Sequence, residues 1–296
     1  MPVFVILHYL SEEMTTRCVD TLRATFENEA VRIVIVDNGS PNGSGARLQE
    51  KYADLGNCVV LLNEENLGFA QGNNLGYRYA VEQLEPEFVV VMNNDVLVED
   101  TQFFEKVRRI YQETHFYVLG PDIYACAAGV HQNPMRQEGY TREQVSHIIK
   151  QRERWLAVYP LHFAWKQGMQ RLKRFAKKML GRKNKPWENP LAKQPRLENP
   201  VLHGACYIFS PRFTAVCKEA FDPGTFLYFE EDILHYVCKE NGYLMVYDSS
   251  VCVKHLEDVS TNMAFRSAYG KQKMKYSNLV ASAKVLLKRM EQKKET

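Results

Sequence analysis

The stretch FVVVMNND, residues 88–95, places five apolar residues directly before two asparagines and an aspartate. A short, continuous apolar run that is bounded by turn-forming residues is typical of a strand buried on both faces. Its polar end has two interpretations. Asn93, Asn94 and Asp95 either form a turn that satisfies its own backbone, or they help to bind a divalent cation and a diphosphate.

The same pattern fills the first hundred residues. Strand-like runs at 3–10, 31–40, 58–63 and 88–92 alternate with segments of helical periodicity. Apolar strands joined by helices predict right-handed βαβ units and a parallel sheet covered on both faces. We therefore expect an α/β protein with a mostly parallel central sheet flanked by helices.

The third predicted helix starts at the glycine-rich turn near residue 68. Its periodicity indicates that Leu75, Tyr79 and Leu84 face the sheet. After residue 100 we expect one further helix and one further strand before residue 141. A helical tail is predicted from about residue 263.

Polar clusters follow each of the first four strands. In a parallel sheet, ligands bind beyond the carboxyl ends of the strands, so these clusters should converge on one edge. The clusters are His8-Tyr9, Asp37-Asn38-Gly39, Asn63 to Asn66, and Asn93-Asn94-Asp95.

The composition is that of an ordinary globular protein, with 45% hydrophobic and 25% charged residues among 296. The longest apolar runs, of about six residues, fall far short of the roughly 20 that span a bilayer. The opening MPVFVILHYLSEE has no basic region, so a signal peptide is not expected. Seven scattered cysteines without CxxC spacing predict reduced thiols in a cytoplasmic protein rather than a zinc site or a disulfide framework.

Positive charge is concentrated in one segment. Residues 142–196 contain 15 Lys and Arg against 3 Asp and Glu, a net of +12, so the remainder of this +3 chain carries 3 − 12 = −9. Aromatic residues such as Trp155, Trp165 and Phe175 lie among these charges. Such a segment suits peripheral contact with an anionic membrane at its inner face. A solvated pair of basic helices covering the active site is the alternative. Nucleic acid is not an expected partner, because the chain matches no nucleic-acid module.

No glycine loop for phosphate is present, neither GxGxxG after the first strand nor GxxxxGK[ST]. A nucleotide site in such a protein needs another source of positive charge, for which Mg²⁺ or Mn²⁺ is suitable. Asp95, directly after a strand, is placed to bind it. Asn93 could offer its carbonyl oxygen or bond a ribose hydroxyl.

Other acids and a histidine are candidates for chemistry. Asp37 could accept the imide N–H of uracil or thymine, or simply form a local turn. Glu230, Glu231 and Asp232 open a predicted helix, where they either complement the helix dipole or supply a general base. His255 could bind a metal or a phosphate, or have a purely structural role.

Together these segments resemble family 2 glycosyltransferases, in particular the rhamnosyltransferase-like branch, over roughly residues 2–260. The most specific are NLGFAQGNNLG and the block that runs from a glycine into FLYFEED. The resemblance implies a GT-A fold, a nucleoside-diphosphate sugar donor, a divalent metal and transfer with inversion of the anomeric centre.

The resemblance also suggests residue roles. Asp37 corresponds to the nucleobase-binding acid, Asp95 to the metal ligand, Glu231 to the general base beside Glu230 and Asp232, and His255 to the histidine that closes the site near the diphosphate. The family's Glu-Asp-x-Asp-Leu reads Glu-Glu-Asp-Ile-Leu here. The segment expected to line the nucleotide-sugar pocket contributes Asn66, Gly68, Phe69, Gly72 and Asn74. To the same pocket we assign the strand-end residues His8, Tyr9, Asn93 and Asn94.

The expected function is transfer of a sugar, from dTDP-rhamnose or a UDP-hexose, to a glycan or lipid-linked glycan in cell-surface polysaccharide synthesis. The alternative is a nucleotide-sugar-binding protein without catalysis. Residues 1–120 are expected to bind the donor and 121–262 the acceptor, with a basic helical insertion at about 141–198. Residues 263–296 form a C-terminal helical extension in this scheme.

Overall fold

The computed structural model of the protein describes residues 1–179, 188–257 and 267–292. In its first half, buried strands alternate with helices as the apolar pattern predicts. The elements are β1 (Val3–His8), α1 (Glu12–Thr25), β2 (Arg32–Asp37), α2 (Ser44–Tyr52), β3 (Cys58–Leu62), α3 (Gly68–Leu84), β4 (Val89–Asn93), β5 (Val96–Leu97), α4 (Phe103–Thr114) and β6 (Val118–Ala125).

The second half adds helices and shorter strands to this framework. Its elements are β7 (Val130–His131), α5 (Arg142–Ala157), α6 (Tyr159–Met179), a short 3₁₀ helix (Leu191–Lys193), β8 (Arg196–Glu198), β9 (Cys206–Phe209), α7 (Pro211–Thr214), α8 (Glu230–Asn241), β10 (Met245–His255) and α9 (Ala268–Gln292). Among the described helices, none contains a stretch long and apolar enough to cross a bilayer.

The strands form one sheet in the order β3-β2-β1-β4-β9-β6-β10-β5, with β7 beside β6 and β8 beside β10. β1 pairs in parallel with β2 and β4, β2 with β3, and β6 with β10, whereas β9 is antiparallel to β4 and β6. The register sets His8 beside Asp37 and Leu7 beside Asn93. The predicted fold class is confirmed, and the polar ends of β1, β2 and β4 lie at one edge.

Both faces of the sheet are covered, as continuous apolar strands require. Phe4 and Ile6 of β1 enter a cluster with α1 and α4, whereas Val3 and Val5 enter a second cluster with α3. This alternation follows from the two-residue period of a strand. The strand ends therefore have a rigid base.

The buried face of α3 differs from the predicted one. Leu75, Tyr79 and Leu84 are only half-buried, whereas Tyr77 and Ala80 are fully buried. The glycines of α3 explain the rotation, because a Cβ at residue 76 would overlap side chains of β1 and β2. The helix therefore meets the sheet through Gly76, Tyr77 and Ala80, while Leu75, Tyr79 and Leu84 pack at the margin of the same cluster.

Helices α5, α8 and α9 meet in a third cluster, which buries Ile149, Ile233 and Leu286. The predicted basic insertion contains α5 and α6, and the predicted tail contains α9. The boundary that we placed between residues 262 and 263 lies outside the described residues. Within them, α9 packs on α5 and α8 as part of the hydrophobic core.

Candidate functional site at the carboxyl edge of the sheet

The polar residues that follow β1, β2 and β3 meet at one edge of the sheet. Nε2 of His8 lies 3.8 Å from Oδ1 of Asp37. The amide nitrogen of Asn38 donates to Oδ1 of Asn66 at 3.0 Å, and its oxygen accepts from Nδ2 of Asn63 at 3.2 Å. The convergence expected from a parallel sheet is therefore present.

His8 lies beneath this edge rather than on it. The side chain is 0% exposed, and its Nδ1 and Nε2 pair with the hydroxyls of Thr15 and Ser44, both at 2.7 Å. The Thr15 hydroxyl also accepts from Nδ2 of Asn94 at 2.9 Å. This burial lowers the pKa of the imidazole, and the assignment of His8 to the nucleotide-sugar pocket stays a prediction. Sequence reasoning missed Thr15 and Ser44, because isolated hydroxyls in helices have no distinguishing pattern.

Asp37 is held at the start of α2. Its carboxylate accepts from the backbone N–H of Ser40 at 3.3 Å. Gly45 makes room for it, because a Cβ at that position would overlap Oδ2 of Asp37. Tyr9 follows β1 at the same edge and is half-buried.

The start of α3 is attached to the loop that precedes α8. Gly68 has a φ of +79° and lies against the Phe226 carbonyl, which accepts from the backbone N–H of Phe69 at 2.7 Å. The Phe69 ring packs on Phe221, with 5.2 Å between centroids. Oδ1 of Asn66 accepts from the Gly68 N–H at 2.9 Å. The start of α3 and the loop before α8, one segment from each half of the chain, therefore form one wall of the candidate site.

Gly72 and Asn74 support this wall from behind. A Cβ at Gly72 would come within 2.7 Å of the Leu7 side chain and 3.2 Å of Asn38. Asn74 is fully buried, and its amide both donates to the carbonyl and accepts from the N–H of Phe221, at 2.8 and 2.9 Å. Both polar atoms of the Asn74 side chain therefore bind backbone, and its assignment to the nucleotide-sugar pocket stays a prediction.

The Asn93-Asn94-Asp95 turn joins β4 to β5 and is bound on both sides by the second half of the chain. The Asn93 N–H donates to the carbonyl of Ala205 at 2.9 Å, and the Asp95 carbonyl accepts from the Leu256 N–H at 2.9 Å. These backbone bonds place the end of β10 directly beside the turn. His255, the last residue of β10, is brought to Asp95 in this way.

Asp95 and His255 form a pair with one unsatisfied oxygen. Nε2 of His255 lies 3.3 Å from Oδ1 of Asp95, and this buried oxygen has no hydrogen-bond partner among the described residues. Gln132 donates from Nε2 to Glu257 at 2.8 Å, which turns its carbonyl oxygen towards Nδ1 of His255 at 2.7 Å. Because Nδ1 faces the Gln132 oxygen, Nε2 is the ring nitrogen that is directed at the carboxylate. Two electron-pair donors that face each other are suited to hold a cation between them.

His203 adds a second imidazole, which sequence reasoning missed. Its ring centroid lies 5.9 Å from that of His255, and its Nδ1 accepts from the Ala205 N–H at 3.2 Å. Burial and the neighbouring His255 lower the pKa of His203 to about 4, so the ring is neutral at pH 7. Among the described residues, however, no three His, Cys, Asp or Glu side chains are arranged to hold a metal. A cation here would take Asp95 and His255 and complete its shell with ligand oxygens.

The three acids at the start of α8 have separate environments. Asp232 forms an ion pair with Arg136 and lines a cavity of about 510 Å³ between α8, α9 and the start of α5. Burial raises the pKa of Asp232 to about 7. Burial together with the charge of Glu231 raises the pKa of Glu230 to about 8, and the nearby Thr225 hydroxyl opposes the rise.

Glu231 lies beside the segment that is hydrogen-bonded to the Asn93-Asn94-Asp95 turn. Its carboxylate lies against Gly204, where a Cβ would be 2.5 Å from Oε1. Gly204 precedes Ala205, to which Asn93 is hydrogen-bonded. Burial raises the pKa of Glu231, and the positive charge of Arg136 opposes the rise. Of the three acids, Glu231 is the half-buried one, and Glu230 and Asp232 are buried.

Comparisons with known proteins agree with this architecture. The model of the family described as "Glycosyl transferase family 2" matches residues 3–213. The low-salt glycan biosynthesis hexosyltransferase Agl10 of Haloferax volcanii is 29% identical over 119 residues, which make up 40% of this chain and 35% of that protein. The match therefore spans about a third of the length of this curated relative.

Solved structures share the fold. The structure of S. aureus TarS in complex with UDP superposes with a TM-score of 0.51 at 15% identity, over 87% of this chain and 60% of that one. GalNAc-T7 with UDP, GalNAc and Mn²⁺ gives 0.53 at 12% identity, over 87% and 44%. At such identities the likeness concerns the fold alone.

Proposed function

Because the chain belongs to glycosyl transferase family 2, we propose that it transfers a sugar from a nucleoside-diphosphate sugar to a hydroxyl of a glycan or lipid-linked glycan. The observation that carries the proposal is the position of Glu231 beside the turn that holds Asp95. Such a transfer needs a base for the acceptor hydroxyl and, on the same edge, a side chain that can hold a cation for the diphosphate. We place the reaction in cell-surface polysaccharide synthesis, in the cytoplasm and at the membrane.

Asp95 and His255 are the proposed ligands of Mg²⁺ or Mn²⁺. The unsatisfied Oδ1 of Asp95 supports this assignment, because a buried carboxylate oxygen without a partner is costly. A divalent cation held there would supply positive charge to offset the charge of the leaving diphosphate. Two protein ligands suffice when phosphate oxygens and water complete the shell. Asn93 stands where a second acidic ligand is expected. The cation would therefore need the phosphate oxygens of the donor to complete its coordination shell.

Glu231 is the proposed general base. It accepts the proton of the acceptor hydroxyl as that oxygen attacks the anomeric carbon opposite the diphosphate. One displacement inverts the anomeric centre, so one base is sufficient. Arg136 opposes the effect of burial on the pKa of Glu231, and Asp232 holds Arg136 in place.

The donor is proposed to lie between the ends of β1, β2 and the start of α3. Asp37 would accept the imide N–H of a uracil or thymine ring, with Tyr9, Asn66, Gly68 and Phe69 around it. UDP in the TarS and GalNAc-T7 complexes supports a UDP-hexose, and dTDP-rhamnose is the second candidate. His8, Gly72, Asn74 and Asn94 are assigned positioning roles from their burial.

In this scheme residues 1–120 bind the donor, residues 121–262 bind the acceptor, and α9 supports the helix that carries the base. A nucleotide-sugar-binding protein without turnover is the competing function, favoured by Asn93 and by the Glu-Glu-Asp sequence. The two functions make the same prediction for binding and opposite predictions for transfer.

Thermal shifts with UDP, dTDP and GDP, with and without Mn²⁺, test the donor site. We expect UDP or dTDP to raise Tm, and Mn²⁺ to add to the rise. Asp95→Asn should lose the Mn²⁺-dependent part, whereas Asp54→Asn, an exposed control, should keep it. Absence of a metal-dependent shift with all three nucleotides would contradict the proposed site.

Glu231→Gln tests the base. The variant should keep the nucleotide-dependent thermal shift and lose transfer by about 10²–10⁴-fold, the usual contribution of a positioned base. Wild-type protein that binds UDP or dTDP but turns over no donor would instead support the binding protein.

A further inference from the structure

One face of α6 exposes large apolar side chains in a continuous row. Consecutive members are separated by three, four or seven positions, which places them on the same side of a helix. We call them the α6 stripe: Leu161, Trp165, Leu172, Phe175 and Met179, exposed by 74, 64, 64, 65 and 74%. Scattered single exposures are ordinary, but an aligned row of five indicates a contact surface.

The opposite side of α6 is anchored, so the orientation of the stripe is defined. The Tyr159 hydroxyl donates to the Tyr269 carbonyl at 2.9 Å, and the Phe163 ring packs on Tyr269 with 5.1 Å between centroids. Nζ of Lys166 donates to the Tyr276 hydroxyl at 3.4 Å. These contacts turn one face of the helix towards α9 and leave the stripe on another.

The charge of α6 identifies the partner. The helix contains six Lys and Arg and no Asp or Glu, and the described side chains of Arg171 and Lys173 are exposed beside the stripe. An apolar row with Trp and Phe, flanked by cations, matches the boundary between the headgroups and the acyl chains of an anionic bilayer. A second copy docked through the same face would bring two such positive helices together, which is unfavourable.

We propose that the α6 stripe inserts into the surface of a membrane that contains anionic phospholipid, with α6 parallel to the membrane plane. The interaction combines apolar insertion with attraction of Arg171 and Lys173 to the headgroups. It is independent of donor binding. Its use, to bring the site to a lipid-linked acceptor, rests on the proposed function.

Co-sedimentation of the full chain with lipid vesicles tests the proposal. Wild-type protein should bind phosphatidylcholine vesicles that contain phosphatidylglycerol, and bind less to phosphatidylcholine alone. Trp165→Ser with Phe175→Ser should weaken the binding at least tenfold, because large aromatic area is removed from the interface. Val216→Ser, which truncates an exposed apolar residue away from α6, is the matched control and should bind like wild type.

Neutralising Arg171 and Lys173 to Gln should weaken binding to the anionic vesicles by about fivefold per charge and abolish part of its salt sensitivity. The UDP and dTDP thermal shifts of all variants should equal those of wild type, which separates this proposal from the donor site. Wild-type protein that does not sediment with anionic vesicles would overturn it, as would equal binding by the Trp165 and Phe175 variant. A wild-type dimer that this variant disperses, without any vesicle binding, would assign the stripe to a second copy.

Discussion

Three consecutive carboxylates at the start of α8 show how strongly the environment of a single side chain determines its chemistry. Glu230 is buried at the first position of α8, Glu231 lies beside Gly204, and Asp232 is paired with Arg136. In water these acids would titrate within about half a pH unit of one another. In the protein they differ in burial, in partner and in the direction they face, and two predictions follow from these differences.

Arg136→Gln should shift the pH dependence of transfer. The guanidinium lowers the pKa of Glu231 against the effect of burial, so its removal raises that pKa. The acidic limb of the kcat/KM profile should then move to higher pH. Arg142→Gln, which removes an exposed arginine paired with Glu291, should leave the limb in place. An unshifted limb in active Arg136→Gln protein would refute the role of this arginine.

Glu230→Gln should stabilise the protein at alkaline pH. Burial raises the pKa of Glu230 from 4.5 to about 8, so the folded state favours the protonated acid. The stability that this preference contributes is complete below the unfolded pKa and is lost as pH rises through about 8. The amide cannot ionise, so the Tm gain over wild type should be larger at pH 9 than at pH 5, by about 2–4 °C for each kcal/mol. Exposed Glu13→Gln should show no such pH dependence in a melting series, and an equal gain at both pH values would exclude ionisation as the cause.

At the level of secondary-structure elements, the start of α3 depends on a backbone conformation that glycine alone adopts readily. Gly68 has φ +79° and lies against the Phe226 carbonyl. The hydrogen bond from Phe69 to the same carbonyl joins the donor wall to the loop before α8. The proposed donor wall and the helix that carries the proposed base are therefore mechanically connected.

Gly68→Ala should weaken both stability and donor binding. A Cβ would overlap the Phe226 backbone, and the left-handed conformation costs an alanine of the order of 1–2 kcal/mol before any clash is counted. Urea unfolding and the UDP or dTDP thermal shift measure the two effects. Gly168→Ala in α6 is the matched control, since a Cβ there meets no atom within 4 Å, and it should be neutral or stabilising by up to about 1 kcal/mol. Equal stability of the two variants would disprove the constraint at Gly68.

Across the protein as a whole, the C-terminal helix is part of the core that supports the site. Leu286 of α9 is buried in one cluster with Ile149 of α5 and with Ile233, which lies two positions after the proposed base. Loss of this packing would loosen α8. The C-terminal segment predicted as an extension therefore has a structural function in the body of the protein.

Leu286→Ala should destabilise the protein by about 2–5 kcal/mol, the usual cost of a cavity at a buried leucine. It should also lower the rate of transfer more than the affinity for UDP or dTDP, because α8 carries the base while the nucleotide site lies on other elements. Lys288→Ala, at an exposed position of the same helix, is the control for urea unfolding and rate. A full loss of nucleotide affinity in folded Leu286→Ala protein would show that α9 supports the donor site instead.

Much of the architecture is predictable from local pattern. The apolar runs of β1, β2 and β4, the helix that begins at Gly68, and the helix opened by Glu230 to Asp232 all occur where the sequence predicts them. Hydrophobic periodicity predicted the buried face of α3 less well. The glycines of this helix lie close against the sheet, and Tyr77 and Ala80 are buried whereas Leu75 is half-buried. Small residues contribute little to a hydrophobic pattern, although they decide which face of a helix can approach its neighbour.

The alternation of apolar strands and helices in the sequence is sufficient to predict that the polar strand ends lie at one edge of the sheet. Parallel strands have a common direction and therefore present their carboxyl ends together. The pairing of Asp95 with His255, the burial of His8 under Thr15 and Ser44, and the separation of Glu231 from its two acidic neighbours were decided only by tertiary structure. Each of these arrangements depends on contacts between residues that are distant in sequence. Each also depends on burial, which shifts the pKa of a side chain and determines whether that side chain is accessible. Neither is encoded in the local run of residues.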